Sequence, residues 1–422
     1  MHFQNGQLQI GKVPAFEIAS RFGTPVYIYD AASIRRQVDN VKRAFGSMPF
    51  LPFYAMKANA NLSILRLVRS LGFGCDAVSP GEIYLARKAG FTVDQIWFTC
   101  SNVSDQDLSD IDDPGMVINV NSMSEIDRCL RLGLRNPFAL RVNPDVGAGH
   151  HRDTITGGSG VKFGIEVAEI ETARMMIEDA DGTVSGLHAH IGSGVDDMTP
   201  LLAAAQKLVG LSAGFRNLKW INFGGGMGIP YRPTDREFPI DEYGQKLAAI
   251  AGSTLRERGL TAILEPGRYI TAPSGLLLSR VTTKRVSAGV DWIGVDTGFN
   301  HLVRPSKYGA YHHIINASNG SAASLRESFQ AEAMTDNVVV AGNICESGDI
   351  FTRDASGVTE TRQIDGSKVG DLLAFCDAGA YGFSMASHYN ARLLPPEVLV
   401  EGDQMTLIRE RQTFDELVRG QG

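Results

Sequence analysis

The sequence lacks the features that would point to a membrane, a nucleic acid or secretion. No stretch approaches about 18 uninterrupted apolar residues, the minimum for a transmembrane helix. The 40 basic and 47 acidic residues give a net charge of −7, which argues against nucleic acids and anionic membranes as partners. Residues 1–6 do not form the basic and then apolar run of a secretory signal.

Cysteine is scarce, and its spacing argues against two kinds of stabilising site. The five cysteines form no C-x-x-C pair, so we expect neither disulfides nor a metal, and a reducing, cytoplasmic location. They are Cys75, Cys100, Cys129, Cys345 and Cys376. Glycine, in contrast, is abundant. Many of the 46 glycines follow apolar runs, where a backbone turns sharply or approaches a ligand.

Between residues 50 and 270, short runs that favour β-strands alternate with amphipathic stretches that favour helices. Eight such strand–helix units are typical of a (β/α)8 barrel. The expected strands are 53–57, 74–78, 95–99, 117–120, 138–142, 185–190, 220–223 and 262–265. A doubly wound open sheet is the alternative, but no G-x-G-x-x-G turn follows the early strands.

The pattern changes after about residue 275, where helical periodicity fades and β-rich runs separated by turn residues take over. We therefore expect an α/β domain and an all-β domain. The barrel is expected at 33–273, and a β-sandwich or Greek-key barrel at 1–32 together with 274–422. The polar, glycine-rich stretch 145–162 is expected to be a long active-site loop.

The functional residues of such a barrel lie at the carboxyl ends of its strands. Lys57, Asp76, His190 and Glu265 hold such positions, and the triple glycine 224–226 follows the seventh strand. This combination suits a phosphorylated aldehyde cofactor held through a lysine imine. Desolvation would make the lysine a nucleophile, although a strand-end lysine alone is more often a solvated rim charge.

The glycine turn and the last strand each have a functional and a purely structural interpretation. The amides of 224–226 can form a nest for phosphate, or the glycines can be a flexible turn. Glu265 can bind a protonated ring nitrogen, and Arg268 can hold a phosphate or carboxylate. Alternatively, Glu265 and Arg268 form a buried ion pair around a Pro-Gly turn.

Two histidines, His188 and His190, lie on one face of the sixth strand by alternation. An H-x-H pair suggests a metal, but no acidic partner stands at a matching ligand spacing. We favour stacking of His190 on the cofactor ring, with Ser193 available to the phosphate. For His188 we favour a hydrogen-bonded core position.

The expected β domain carries its own polar clusters, at 304–309, 345–349 and 377–382. A lone cysteine is usually a packing residue, and we expect this of Cys75, Cys129 and Cys376. Cys345 is a better candidate for a proton donor, because it stands beside Glu346 in a turn bounded by glycine.

Six motifs occur in order along nearly the whole chain, and together they resemble those of diaminopimelate decarboxylases, within the ornithine and diaminopimelate decarboxylase group. The motifs are Tyr54–Asn59, His190–Ser193, Gly224–Gly226, Glu265–Arg268, Cys345–Asp349 and Gly379–Met385. The resemblance implies the alanine-racemase-like fold, pyridoxal 5'-phosphate and a homodimer with active sites at its interface. It also implies conversion of meso-2,6-diaminopimelate to L-lysine and CO2, the last step of lysine biosynthesis.

The resemblance also implies a role for each matched residue. Lys57 carries the cofactor, His190 stacks on its ring and Glu265 pairs with the ring nitrogen. The other residues of the cofactor site are Asp76, Ser193, Gly224, Gly225, Gly226, Gly267, Arg268 and Tyr381. The distal carboxylate of the substrate is bound by Arg268, Arg304 and Tyr308, next to Tyr381, and its distal amine by Glu346. The proton donor is Cys345 of the partner subunit.

Arg304 and Glu346 together suit the second amino-acid head of diaminopimelate, whereas ornithine decarboxylases typically have an aspartate after the cysteine. Three positions depart from the family pattern: Asn343-Ile344 replaces a proline, His301 an aspartate and His388 an asparagine. A related decarboxylase acting on carboxynorspermidine or a carrier-bound glutamyl group therefore stays open. So do a non-catalytic cofactor carrier and an amino-acid racemase, which needs a second base.

Overall fold

The computed structural model describes residues 1–99, 101–111, 113–232, 234–320 and 335–421, and these form two compact units. The barrel unit contains 36–229 and 236–270, and the β-rich unit contains 1–35, 230–235 and 271–422. The stretch 230–235 lies inside the span expected for the barrel but packs with the β-rich unit. Among the described residues, no helix is long and apolar enough to cross a membrane.

Eight parallel strands close into a ring in the barrel unit, so the expected (β/α)8 barrel is confirmed. They are β5 (Phe50–Ala55), β6 (Gly74–Ala77), β7 (Ile96–Thr99), β8 (Val117–Val120), β9 (Phe138–Asn143), β11 (Val184–His188), β12 (Trp220–Asn222) and β13 (Thr261–Leu264). The last strand pairs with the first, β13 with β5, which closes the ring. A two-residue strand, β10 (Ile165–Glu166), adds to β9 from outside.

A helix follows each barrel strand. In chain order these helices are α3 (Leu62–Ser70), α4 (Pro80–Ala89), α5 (Asp105–Asp110), α6 (Met123–Arg131), α7 (Ile170–Glu178), α8 (Thr199–Ser212), α9 (Ile240–Arg258) and α10 (Arg268–Thr271). Local sequence sets where several begin. Ser79 and Ser122 accept backbone N–H bonds from residues three positions later, which satisfies otherwise unpaired donors of the first turn. Asn61 caps α3 in a similar way.

An apolar plug fills the amino-terminal part of the barrel interior. Trp97 contacts the rings of Phe53 and Trp220, each with its centroid 5.4 Å away. Val117, Ala139 and Ile263 complete this cluster. Because large apolar side chains occupy this level, the polar residues of the barrel interior are left to the strand ends.

The β-rich unit is built on one large sheet. Its strands are β4 (Val26–Asp30), β14 (Gly275–Ser287), β15 (Val290–Val295), β16 (Ile314–Asn316), β17 (Thr335–Ala341), β18 (Arg362–Asp365), β19 (Leu372–Phe375), β20 (Glu397–Glu401) and β21 (Gln404–Arg409). They follow the order β18-β17-β15-β14-β4-β20-β21, and β19 and β16 are joined to this path through β14. The amino-terminal segment thus contributes β4 to a sheet otherwise made from the carboxyl-terminal half.

Smaller elements complete the chain. A separate sheet joins β1 (His2–Gln4), β2 (Gln7–Ile10) and β3 (Val13–Pro14). The remaining helices are α1 (Ala15–Phe22), α2 (Ala31–Phe45), α11 (Arg304–Tyr308) and α12 (Phe414–Leu417). The core of the β-rich unit includes Leu8, Ile28, Leu276, Ala374 and Val398, all buried, so this small sheet packs on the large one.

Candidate active site

Lys57 lies in a short 3-10 turn directly after β5, at the carboxyl end of the barrel. The turn is fixed by its own sequence, because the Tyr54 hydroxyl donates to the Asn59 carbonyl over 3.0 Å and the Asn59 side chain accepts the Asn61 N–H. The Lys57 ammonium stands 3.7 Å from an Asp76 carboxylate oxygen on the next strand. Two of the predicted residues thus form an ion pair.

Asp76 is completely buried, and neither of its carboxylate oxygens has a hydrogen-bond partner among the described residues. Burial, and then the nearby charge of Glu265, raises the pKa of Asp76, whereas the charge of Lys57 opposes this shift. Buried polar atoms of this kind usually mark a place where something other than the chain supplies the partner.

Glu265 follows β13 and is held by donors from the two preceding strands of the ring. Asn222 Nδ2 lies 2.6 Å from one carboxylate oxygen, and His188 Nε2 lies 3.2 Å from the other. Burial alone would raise the pKa of Glu265, but the hydrogen bond from His188 and the nearby charge of Lys57 outweigh it and lower the pKa. The side chain is therefore an ionised acid inside the barrel.

His190 stands just beyond β11, and its Nδ1 accepts the Gly225 N–H over 3.2 Å. The proton of the neutral ring must then be on Nε2. Burial, followed by the charge of Lys57, lowers the pKa of His190 well below its usual value, so the ring is neutral. A neutral, buried ring fixed by the backbone is well suited to stack on a flat cofactor.

The three glycines 224–226 are required by close packing. An added Cβ on Gly224 would overlap the Ala189 carbonyl, on Gly225 the Glu265 carbonyl and on Gly226 the Gly192 carbonyl. The Gly224 N–H donates to Asn222 Oδ1 over 2.8 Å, so two of the three amides already have partners within the chain. The turn is thus packed tightly against the backbone of its neighbours, which only glycine allows.

Arg268 and Ser193 meet beside this turn. The guanidinium donates to Ser193 Oγ through Nε over 3.2 Å and Nη2 over 3.0 Å. Gly267 lets the segment approach the lysine turn, because a Cβ there would lie 3.0 Å from the Ala55 carbonyl oxygen. The barrel mouth therefore brings together all of the predicted residues that belong to this unit.

The long polar loop expected at 145–162 is attached to the segment after β11. The Ala148 and Thr156 N–H groups both donate to the Ile191 carbonyl, and the Thr156 hydroxyl donates to the His190 carbonyl over 2.8 Å. At the base of the loop, the Asn143 amide bonds to both the N–H and the carbonyl of Gly158. The loop thus supports the backbone that carries His190.

Arg304 and Tyr308 are the first and last residues of α11 in the β-rich unit. Arg304 is buried, its Nη1 lies 2.7 Å from His312 Nε2, and its guanidinium lies 4.6 Å from the centre of the Tyr231 ring. His312 Nδ1 donates to the Cys376 carbonyl over 2.8 Å. Since that nitrogen carries the proton, Nε2 is an acceptor for Arg304.

Cys345 and Glu346 are exposed in a turn that Asp349 shapes. The Asp349 carboxylate accepts the Ile344 N–H over 2.7 Å and the Phe299 N–H over 2.6 Å. The Cys345 N–H donates to Asn390 Oδ1 over 2.7 Å, which holds the turn from its other side. The thiol is therefore presented to solvent by a backbone that is fixed at both ends.

Tyr381 has a φ of 57°, in the left-handed region that bulky residues rarely adopt. Such strain persists where the surrounding structure imposes it, commonly at functional sites. The next residue, Gly382, packs so closely on Ala378 and Tyr27 that a side chain would not fit there.

His301 is one of the three departures from the family pattern. Its ring forms hydrogen bonds with the Thr297 hydroxyl and with the Leu393 carbonyl.

Sequence reasoning missed the residues that act through others. Asn222 and His312 each hold a predicted site residue but stand in none of the motifs, and Asp349, which ends the motif Cys345–Asp349, was given no role although it holds the turn. For Asn222 there was one available signal: it precedes the triple glycine at the end of a strand, where barrels place functional residues.

The comparisons with known proteins agree with this geometry. The family model described as "Pyridoxal-dependent decarboxylase, pyridoxal binding domain" matches residues 31–272. The diaminopimelate decarboxylase of Methanothermobacter thermautotrophicus is 43% identical over 99% of this chain and 96% of its own. That of Escherichia coli K12 is 37% identical over 95% of this chain and 94% of its own. The M. jannaschii diaminopimelate decarboxylase structure in complex with L-lysine has a TM-score of 0.86 at 33% identity, covering 99% of this chain and 96% of that one.

Fold, barrel mouth and family model together define a pyridoxal-phosphate-dependent decarboxylase. Within that class, the chain belongs to the diaminopimelate decarboxylase family. A lysine/ornithine decarboxylase structure from Vibrio vulnificus, at 20% identity and a TM-score of 0.75, shares the fold.

The residues at the barrel mouth fit pyridoxal phosphate. Lys57 supplies the amine, and the buried carboxylate of Asp76, which has no hydrogen-bond partner among the described residues, stands beside it. Glu265 offers an ionised carboxylate, the partner that a protonated pyridine nitrogen requires. Arg268, with Ser193 beside it, provides a cation and a hydroxyl for a phosphate.

Proposed function

We propose that this chain converts meso-2,6-diaminopimelate to L-lysine and CO2 with pyridoxal phosphate. One observation carries the proposal: Lys57, Asp76 and Glu265 converge at one barrel mouth, in a chain whose relatives named diaminopimelate decarboxylase are 33% to 43% identical to it. When bound, the cofactor supplies an electron sink for the bond that breaks at the substrate Cα.

The barrel residues bind and orient the cofactor in this proposal. Lys57 attaches it, Asp76 stays beside the attachment point, and the neutral His190 ring packs against the cofactor face. Glu265 faces the ring nitrogen and keeps a proton there. Ser193, Gly267, Arg268 and the glycines Gly224, Gly225 and Gly226 surround the phosphate, with Tyr381.

Residues of the β-rich unit are proposed to select the substrate. Arg304 and Tyr308, with Arg268 and Tyr381, bind its distal carboxylate. The fixed, buried guanidinium of Arg304 suits this role, because a cation held by its neighbours loses little freedom on binding an anion. Glu346 binds the distal ammonium, so a second amino-acid head meets both charges.

We also propose a cytoplasmic homodimer, in which Cys345 of the partner subunit returns the proton to the substrate Cα. The exposed turn that carries Cys345 supports this assignment, since a donor for another subunit must be reachable from outside its own chain. The proposed domain limits are 33–273 for the barrel, and 1–32 with 274–422 for the β domain.

The decisive experiment measures CO2 release by the purified, cofactor-loaded protein from meso-diaminopimelate, ornithine, lysine and arginine. We expect release from diaminopimelate at a rate at least tenfold above the others, because the last three lack a second amino-acid head. Faster release from ornithine, or none from any of the four by protein that holds the cofactor, would contradict the proposal.

Two variants assign the chemistry. Lys57→Ala is expected to abolish turnover and the visible absorption band of the attached cofactor, whereas Lys246→Ala, on the exposed face of α9, changes neither. Cys345→Ala is expected to keep the band while turnover falls, because the thiol acts after the cofactor has bound. Unchanged turnover in Cys345→Ala would remove the thiol as the proton donor.

A further inference from the structure

Glu265 and the two side chains that donate to it come from three neighbouring strands of the barrel. In the parallel register, His188 of β11 lies opposite Asn222 of β12, and Asn222 lies opposite Ile263 of β13. Glu265 is two residues beyond Ile263 and therefore on the same face of the strand. The three polar side chains form one row inside the barrel, with the carboxylate at its end.

The hydrogen bonds of this row have only one consistent direction. Asn222 Oδ1 accepts the Gly224 N–H, so its amide nitrogen must point towards Glu265. An ionised carboxylate only accepts, and His188 must therefore carry its proton on Nε2. His188 Nδ1 is buried without a hydrogen-bond partner among the described residues. The ring thus makes a single directed bond, and Glu265 receives it.

His188 donates to Glu265 as a neutral ring. Burial, first of all, lowers the pKa of His188; Arg141 and Lys57 lower it further, and Glu265 opposes them. The other titratable groups near this row are His190, itself held neutral, and Asp76, whose pKa is raised by burial and by the charge of Glu265. A neutral donor bonds to the carboxylate without cancelling its charge, so the negative charge remains available to the cofactor.

We propose that His188 is a positioning residue which, together with Asn222, keeps the shared proton on the cofactor's ring nitrogen rather than on Glu265. This inference rests on the proposed function, in which Glu265 faces that nitrogen. Each donor bond lowers the affinity of the carboxylate for a proton, and each carboxylate oxygen receives one donor. Without His188 one oxygen loses its donor, and the proton shifts from the ring to the acid.

The test compares His188→Leu, which removes the donor, with His188→Gln, whose side-chain amide can still donate. The first readout is the nitrogen-15 chemical shift of ring-labelled pyridoxal phosphate bound to each protein, which reports ring protonation without any substrate. We expect the wild-type and Gln proteins to hold a protonated ring, and the Leu protein to shift towards the unprotonated value. Cofactor attachment through Lys57 should survive in all three.

The second readout separates positioning from a general loss of packing. In His188→Leu, kcat for diaminopimelate should fall by about 10- to 100-fold, the effect of one lost hydrogen bond to a charged group. KM should change little, and the acidic limb of the pH profile should move to higher pH. Ser185→Ala, which deletes a buried hydrogen bond on the same strand, should leave the nitrogen shift and the pH profile as in wild type.

The possible outcomes separate this inference from the proposed function. A protonated ring in His188→Leu, or equal losses in the Leu and Gln proteins, would overturn the role of His188 even if the wild type decarboxylates diaminopimelate. If the wild type releases no CO2, the proposed function fails, and the nitrogen shifts still decide about His188. If the Leu protein does not fold, His188→Asn takes its place as the variant without a donor. The amide of Asn is one methylene shorter than that of Gln and therefore falls short of Glu265.

Discussion

Replacing Asp349 by asparagine tests how the turn of the proposed proton donor is held. The carboxylate accepts two backbone N–H groups, from Ile344 and Phe299, and a side-chain amide has only one acceptor. Asp349→Asn therefore leaves one donor opposed to the new NH2 group. We expect the free energy of unfolding to fall by about 1.5–3 kcal/mol, which is typical of one hydrogen bond to a charged group. Turnover should also fall, because the turn that carries Cys345 loses one of the hydrogen bonds that hold it.

This loss should depend on pH in a defined direction. Burial raises the pKa of Asp349 to about 6, although the two N–H groups oppose it. A carboxyl group with a higher pKa in the folded protein than in the unfolded chain, where it is about 3.9, binds more protons when folded. Its contribution to stability is full below about pH 4 and is lost as the pH rises through about 6. Between pH 5 and 7 the change amounts to about 1.3 kcal/mol.

The assay is differential scanning calorimetry of the wild type and Asp349→Asn at pH 5, 6 and 7. Because asparagine does not titrate, the Tm advantage of the wild type should shrink by about 1–2 °C from pH 5 to pH 7, at about 1 °C per kcal/mol for a chain of 422 residues. Asp354→Asn is the matched control. Hydrogen bonds from Ser356 and Val358 lower the pKa of Asp354, so its titration is complete below this range. A wild-type advantage over Asp349→Asn that grows with pH would refute the reasoning.

Two further predictions concern the barrel mouth. Gly225→Ala should weaken cofactor retention and lower Tm, because the new Cβ would overlap a backbone carbonyl. The control Gly210→Ala, at a position in α8 with open space around it, should leave cofactor retention unchanged and leave Tm unchanged or raise it. Equal cofactor retention in the two variants would contradict the close packing of the glycine turn. Asn143→Ala should speed limited proteolysis within 145–162, because Gly158 loses both of its hydrogen bonds to the Asn143 side chain. The control Asn136→Ala, at the opposite end of the barrel, should not change the rate of cleavage. Cleavage of Asn143→Ala at the wild-type rate would show that the loop is held by other bonds.

Much of the fold was predictable because it follows from local patterns. All eight barrel strands occur where apolar runs alternate with amphipathic stretches. The short strands β16 and β18 were not predicted, and they pair with β19 and β17, strands that lie well away from them in the sequence. The packing of 230–235 with the β-rich unit is a long-range effect that periodicity does not contain.

The candidate site was predictable in its residues but not in their partners. Alternation places His188 and His190 on one face, yet it does not reveal that one bonds to Glu265 and the other to a glycine amide. The same limit applies to the glycine turn. The sequence suggests three amides open to a phosphate, whereas two of them bond to Asn222 and His190, residues whose proximity only the folded barrel creates.

The closure of the ring between β13 and β5 has a consequence for assembly. Lys57 follows the first barrel strand and Glu265 the last, so the amine and the acid become neighbours only when the two ends of the barrel sequence meet. A nascent chain that lacks its final strand has the lysine but no acid to face the ring. Capture of the cofactor with its normal spectrum therefore reports that the whole barrel has been completed, and the ligand can serve as a sensor of finished folding.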